Sequence, residues 1–149
     1  MSCLFGRAHK RPWRTKGNPG SIRNDNEDSP GICVSVDQLV SAQPGLIPQM
    51  TGFLTNQRIW GATIFVDHFS DYVYVFLMWD LSLDETLLAK TSFERHAGDG
   101  QVSIQAYRAD NGRFADRGFK DVVNENNEKI TFCAVGAHWQ NGVAERFIG

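Results

Sequence analysis

Ile59-Trp60-Gly61-Ala62-Thr63-Ile64-Phe65-Val66-Asp67-His68-Phe69-Ser70-Asp71-Tyr72-Val73-Tyr74-Val75-Phe76-Leu77-Met78 holds two runs rich in β-branched and aromatic residues around a short polar break. Such side chains are stiff at χ1 and fit a pleated, half-buried surface. Residues 59–66 and 72–78 are therefore predicted strands. His68-Phe69-Ser70-Asp71 is too short for a crossover, so the two strands form a β-hairpin. Asp67 and Asp71 suit the turn, because their short polar side chains bond nearby backbone.

Downstream, Ser82-Leu83-Asp84-Glu85 has the pattern of a capping box and starts a helix that runs to about His96, with Leu83, Leu87 and Leu88 on its inner face. Gly98-Asp99-Gly100 ends it. Val102, Ile104 and Ala106 alternate with polar Ser103 and Gln105, which predicts a strand that delivers Asp110 at its end. Residues 114–125 read as a helix with Phe119, Val122 and Val123 inward, and 129–134 as a strand. In Ala137-His138-Trp139-Gln140-Asn141-Gly142-Val143-Ala144-Glu145-Arg146-Phe147 a loop turns into a third helix, capped by Asn141, with Glu145 held one turn inside. Upstream of the hairpin, 32–40 is a strand with a lone acid, Asp37, in its middle, and 41–56 is loop-like. The order β-β-β-α-β-α-β-α predicts an α/β fold, a five-stranded mixed sheet flanked by helices.

With 149 residues and a hydrophobic fraction of 42%, the chain can build one real core. No apolar run reaches the roughly 18 residues that a membrane-crossing helix needs. The residues after Met1 are basic and polar, unlike a secretory leader. Cys3, Cys33 and Cys133 are few, odd in number and far apart, which points to a reducing compartment and not to a disulfide framework. The net charge of −2 hides an asymmetry. Residues 1–23 carry Arg7, Lys10, Arg11, Arg14, Lys16 and Arg23 and no acid, whereas the other nine basic and seventeen acidic side chains leave −8 on residues 24–149. Such an arm fits phosphate or an acidic surface, and from charge alone fits a solvated tail slightly better. The expected division is a basic arm and linker over 1–29 and a core over 30–149.

Asp37, Asp110 and Glu145 fall at the edges of regular elements. Three carboxylates gathered in one place repel one another. A hard divalent cation with oxygen ligands, Mg²⁺ or Mn²⁺, relieves that repulsion. Two such ions about 4 Å apart can clamp both the attacking and the leaving oxygen of a phosphodiester. No Cys/His pair, Ser/His/Asp arrangement or phosphate-cradling GxxxxGKS loop competes in the sequence.

Tyr107-Arg108-Ala109-Asp110-Asn111-Gly112-Arg113-Phe114 together with His138-Trp139-Gln140-Asn141-Gly142-Val143-Ala144-Glu145-Arg146 resembles the integrase core of copia-type LTR retrotransposons, over roughly residues 32–149. The resemblance implies a ribonuclease-H-like fold and a catalytic, metal-binding triad of Asp37, Asp110 and Glu145. It implies that Gln140 and Asn141 lie close to DNA, and that the family's chemistry trims element DNA ends and joins their 3′-hydroxyls to target DNA. It also implies a homo-oligomer working in the nucleus or a virus-like particle. Arg146 fits either a phosphate contact or an ion pair with a neighbouring acid. In the arm, Cys3-Leu4-Phe5-Gly6-Arg7-Ala8-His9-Lys10-Arg11-Pro12 resembles the end of the family's zinc-binding module, with Cys3 as its last ligand. One cysteine cannot hold Zn²⁺, so that site is incomplete. Lys10, Arg11 and Arg14 are the arm's candidate DNA contacts. Both ends of the chain are expected to be truncations of a longer polyprotein.

Two choices stay open on sequence. Asp67 is the rival for the first acid. Asp37 is preferred because choosing Asp67 leaves only two strands before the first helix, where the implied fold has three. The function that the resemblance implies is that of an integrase-type polynucleotidyl transferase, with two alternatives. One is a plain nuclease on the same fold, and the other is a non-catalytic remnant that keeps the fold and some DNA binding.

Overall fold

The hairpin forms where its sequence places it, and the sheet grows from it on one side only. The computed structural model describes residues 28–45, 57–110 and 112–133. Its elements are β1 (Val34–Gly45), β2 (Ile59–Asp67), β3 (Val73–Met78), α1 (Leu83–Asp99), β4 (Ala106–Ala109), α2 (Arg117–Glu125) and β5 (Lys129–Phe132), with a 3-10 turn, Arg113–Ala115, before α2. The strand order is β3-β2-β1-β4-β5. β1, β2 and β3 pair antiparallel, and β4 and β5 continue the sheet from β1 in parallel. The third helix expected over 137–147 lies outside the described residues.

Side chains directly opposed on neighbouring strands share a face, so the register sorts the residues into two sets. Val34, Val36, Phe65, Tyr107 and Ala109 belong to one face, and there they meet Ala89 and Phe93 of α1 and Phe119 and Val123 of α2 in the main core. Phe65 stacks on Phe93 with ring centroids 4.5 Å apart. Each Val or Phe of this set contributes about 1.5–3 kcal/mol by leaving water. The second face carries a smaller cluster, Ile64 and Val66 with Leu39 and Val73 against them. Asp37 stands opposite Ile64 and so belongs to this second face.

Several local expectations are corrected. Ser82 does cap α1, accepting from the Glu85 amide at 3.3 Å, but the return arm of the box is missing. Asp80, two residues back, takes the Ser82 amide at 2.8 Å, and the Glu85 carboxylate accepts from the Trp79 amide instead. The buried face of α1 is Thr86, Ala89, Lys90 and Phe93. Leu83 and Leu87 pack at its margin, while Leu88 is 49% exposed. The helix runs three residues past His96. The strand expected over 102–106 occupies Ala106–Ala109. The alternation of Val102 and Ile104 reflects packing against the core, not ladder pairing. α2 starts at Arg117 because the Asp116 carboxylate accepts from the Gly118 amide at 3.0 Å; Phe119 and Val123 are buried and Val122 only partly. β5 spans Lys129–Phe132 and leaves out Cys133, and Ala134 of the expected strand lies outside the described residues.

Candidate metal and phosphodiester site

β1 and β4 are neighbours in parallel, with Val34 beside Tyr107, Ser35 beside Arg108 and Val36 beside Ala109. The next residues in that register are Asp37 and Asp110. β1 runs on past Asp37, whereas β4 ends at Ala109, so Asp110 is the first residue beyond its strand. Neighbouring strands lie about 4.8 Å apart, which brings two residues 73 positions apart in sequence to adjacent places. Both fall on the second face, away from α1 and α2, and both are partly exposed.

Local bonds hold each carboxylate. Asp37 Oδ1 accepts from the Gln38 amide at 2.8 Å, and Asp110 Oδ1 accepts from the Gly112 amide at 2.9 Å. The second is an Asx-type turn, the structural content of the Asp-Asn-Gly sequence. A Cβ on Gly112 would come within 3.0 Å of Asp110 Oδ1, so glycine leaves that oxygen its room. Behind Asp37, the Gln38 side chain points to the helix face. There its amide donates to Thr86 Oγ1 at 2.9 Å, and the Thr86 hydroxyl donates to the Ser82 carbonyl at 2.8 Å. The backbone that carries Asp37 is thereby tied to the first turn of α1.

The donors that the two carboxylates offer are hard oxygens only. That donor set fits Mg²⁺ or Mn²⁺ and not a soft metal. Among the described residues no group of three His, Cys, Asp or Glu side chains is arranged to hold an ion. The third acid of the expected triad, Glu145, lies outside the described residues, as do Gln140, Asn141, Arg146, Lys10, Arg11, Arg14 and Cys3.

Asp67 occupies a different place. It pairs with Val34 at the start of β1, which puts it on the helix-covered face and about 10 Å along the strand from Asp37. Its Oδ1 accepts from the Gly31 amide at 2.8 Å, and its Oδ2 from the amide and hydroxyl of Ser70 at 2.8 and 2.6 Å. Asp71 adopts φ 56° in the same turn. Both residues do the turn work that their sequence position allowed. An apolar cleft of about 220 Å³ lies at this end too, between Tyr72, Phe93, His96 and Ile104, away from Asp37 and Asp110.

Sequence reasoning missed a buried charged cluster beneath β4. Lys90 is 1% exposed and forms ion pairs with Glu94 and, at 2.7 Å, with Glu128 Oε2. The Tyr107 hydroxyl donates to Glu94 Oε1 at 2.6 Å, and Lys90 Nζ sits 5.4 Å from the Tyr107 ring centroid. Burial, with Glu94 beside it, pushes the Tyr107 phenol up. Burial also pushes the Glu128 carboxyl up to about 7, against the pull of Lys90. The i, i+4 spacing of Lys90 and Glu94 was visible, but it reads equally as an exposed pair.

No family model matches the chain, and no curated protein does. Among solved structures the chain is similar to one from a simian T-cell lymphotropic virus intasome in complex with PP2A regulatory subunit B56 gamma, with TM-score 0.64 and 17% identity over 80% of this chain. It is also similar to the HTLV-2 integrase catalytic core domain in complex with magnesium, with TM-score 0.56 for the dimeric form and 0.58 for the trimeric form, at 18% identity over 80% of this chain. The chain spans 38% of the intasome chain and 66% of the HTLV-2 chains. The fold it shares with these cores is ribonuclease-H-like.

Proposed function

We propose that this chain is the catalytic core of a metal-dependent polynucleotidyl transferase of integrase type, acting in DNA integration by a copia-type LTR retrotransposon. The observation that carries this reading is the register that sets Asp37 beside Asp110 at the end of β4, on a fold shared with integrase cores. In this reading Asp37, Asp110 and Glu145 hold Mg²⁺ or Mn²⁺, in keeping with the magnesium named for the HTLV-2 cores. The chemistry supplied by a cation there is activation of an oxygen nucleophile and neutralisation of charge on the reacting phosphate.

The chain's own residues set the stage for it. The Gly112 amide and the Gln38 amide each fix one oxygen of a carboxylate, so both acids are oriented before any ligand arrives. Gln140, Asn141 and Arg146, with Lys10, Arg11 and Arg14 of the arm, are the proposed DNA contacts. The proposed assembly is a homo-oligomer on element ends and target DNA, in the nucleus or a virus-like particle. The likeness to dimeric and trimeric cores supports the first part of that statement.

A labelled duplex incubated with the chain and Mn²⁺ tests the proposal. Integrase chemistry gives 3′-end trimming and longer, joined products, and Asp37→Asn or Asp110→Asn abolishes both. Cutting without joined products indicates a plain nuclease. A folded chain inert toward DNA contradicts the proposal.

A further inference from the structure

Arg108 is a charged residue on the acid-bearing face of the sheet. It pairs in register with Ser35 of β1 and Thr131 of β5, and alternation puts it on the same face as Asp110, two residues after it. Two residues of strand span about 6.6 Å. Its flanking neighbours are neutral and already engaged: the Ser35 hydroxyl lies 2.7 Å from His68 Nε2, and the Thr131 hydroxyl donates to the Tyr107 carbonyl. The side chain is partly buried. Among the described residues its guanidinium has no ion-pair or hydrogen-bond partner; the ion pairs there join Lys90 to Glu94 and Glu128, and Arg117 to Asp121.

A partly desolvated cation without a partner is costly. Asp37 and Asp110 do not supply that partner, and a cation bound between them would repel the guanidinium further. Among the described residues no acid neutralises it, and the phosphates of a nucleic acid that reaches this face carry the charge that would. A guanidinium presents a planar fork of donors that fits two oxygens of one phosphate.

We infer that Arg108 is a nucleic-acid phosphate contact, holding the phosphodiester next to the one bound at Asp37 and Asp110. The inference rests on the proposed function and adds to it a positioning residue for the DNA backbone. A contact of this kind sets the register of the strand across the two acids and reads no base.

The test is binding of the full chain to a labelled DNA duplex between about 50 and 200 mM salt, where each phosphate contact adds to the slope of log affinity against log salt. Arg108→Gln is expected to lower the magnitude of that slope by about 1 and to weaken binding roughly tenfold, without changing the far-ultraviolet circular dichroism. If that variant does not fold, the wild type answers the same question: saturating duplex is expected to protect Arg108 from phenylglyoxal modification, read by mass spectrometry. An unchanged slope in a folded variant, modification of Arg108 that duplex does not slow, or a wild type that binds no duplex overturns the inference. Mn²⁺ binding measured in parallel separates the two claims. Metal binding lost in Asp110→Asn with an unchanged slope in Arg108→Gln overturns the inference and leaves the proposed function standing. A slope that falls in Arg108→Gln while wild type binds no Mn²⁺ does the reverse.

Discussion

Glu128 shows at the scale of one residue how burial and charge trade against each other. Its carboxyl is held up at about 7, first by burial and then by Glu94, although Lys90 lies 2.7 Å away. The Oε2 atom is within ion-pair distance but finds no aligned hydrogen bond. The ordinary value for this carboxyl is 4.5, so the folded chain holds a proton that the unfolded chain releases. The stability this carboxyl contributes is therefore fully present below about pH 4.5 and is lost as pH rises through about 7. Thermal melts across that window are expected to show the fall in wild type and a flatter profile in Glu128→Gln. Lys90→Met leaves two acids facing each other in the core and is expected to destabilise by about 3–5 kcal/mol in urea unfolding. Neither effect was legible in the sequence. A helical Lys with Glu four residues on is most often at the surface, and only the approach of Glu128 and Tyr107 shows that this one is not. The choice between Asp37 and Asp67 was likewise undecidable from residue type. Both are acids near the middle or end of a strand, and the register puts them on opposite faces of the sheet, with Asp67 engaged by Gly31 and Ser70.

At the scale of elements, β1 is the strand that matters most, since it joins the antiparallel half of the sheet to the parallel half. A Cβ on Gly61 would collide with the Leu39 carbonyl on this strand and press on the Leu81 side chain. Gly61→Ala is therefore expected to cost about 1–3 kcal/mol, measured by denaturant unfolding, with Mn²⁺ affinity lowered as the backbone around Asp37 shifts. Thr86→Val removes the acceptor for Gln38 and the bond to Ser82, and is expected to cost about 1–2 kcal/mol by the same measurement. The hairpin and α1 were legible because their signals are local: β-branched runs around a turn, and a cap before a helix. β4 was displaced in the sequence reading because period-two burial does not distinguish a paired strand from an extended segment lying on the core. Val102 and Ile104 pack inward, but pairing with β1 begins only at Tyr107. The inward set of α1 was misjudged for a similar reason. Leu88 looked like a core residue, and Lys90 took the core position with Glu94 and Glu128 to neutralise it.

For the whole molecule, the order of elements in the sequence was enough to predict a five-stranded mixed sheet, and the fold shared with integrase cores agrees with it. Of the proposed site, the sequence offers Asp37 and Asp110 as candidates, and their adjacent placement follows from a parallel pairing that no local pattern encodes. Charge is divided along the chain as well, with +6 on residues 1–23 and −8 on residues 24–149. A core of that sign repels DNA, so much of the salt dependence of binding should come from the arm. Deleting residues 1–23 is expected to lower the slope of log affinity against log salt by about 0.9 for each phosphate that the arm neutralises, and an unchanged slope would show that the arm does not touch DNA. The claim on which the proposed chemistry depends is that Asp37 and Asp110 form one divalent-cation site. Calorimetric titration of Mn²⁺ into wild type, Asp37→Asn and Asp110→Asn tests it most directly. Saturable binding in wild type that either substitution removes, with all three chains folded, is the result this account predicts. Binding that survives both substitutions, or a folded wild type with no binding, would contradict it.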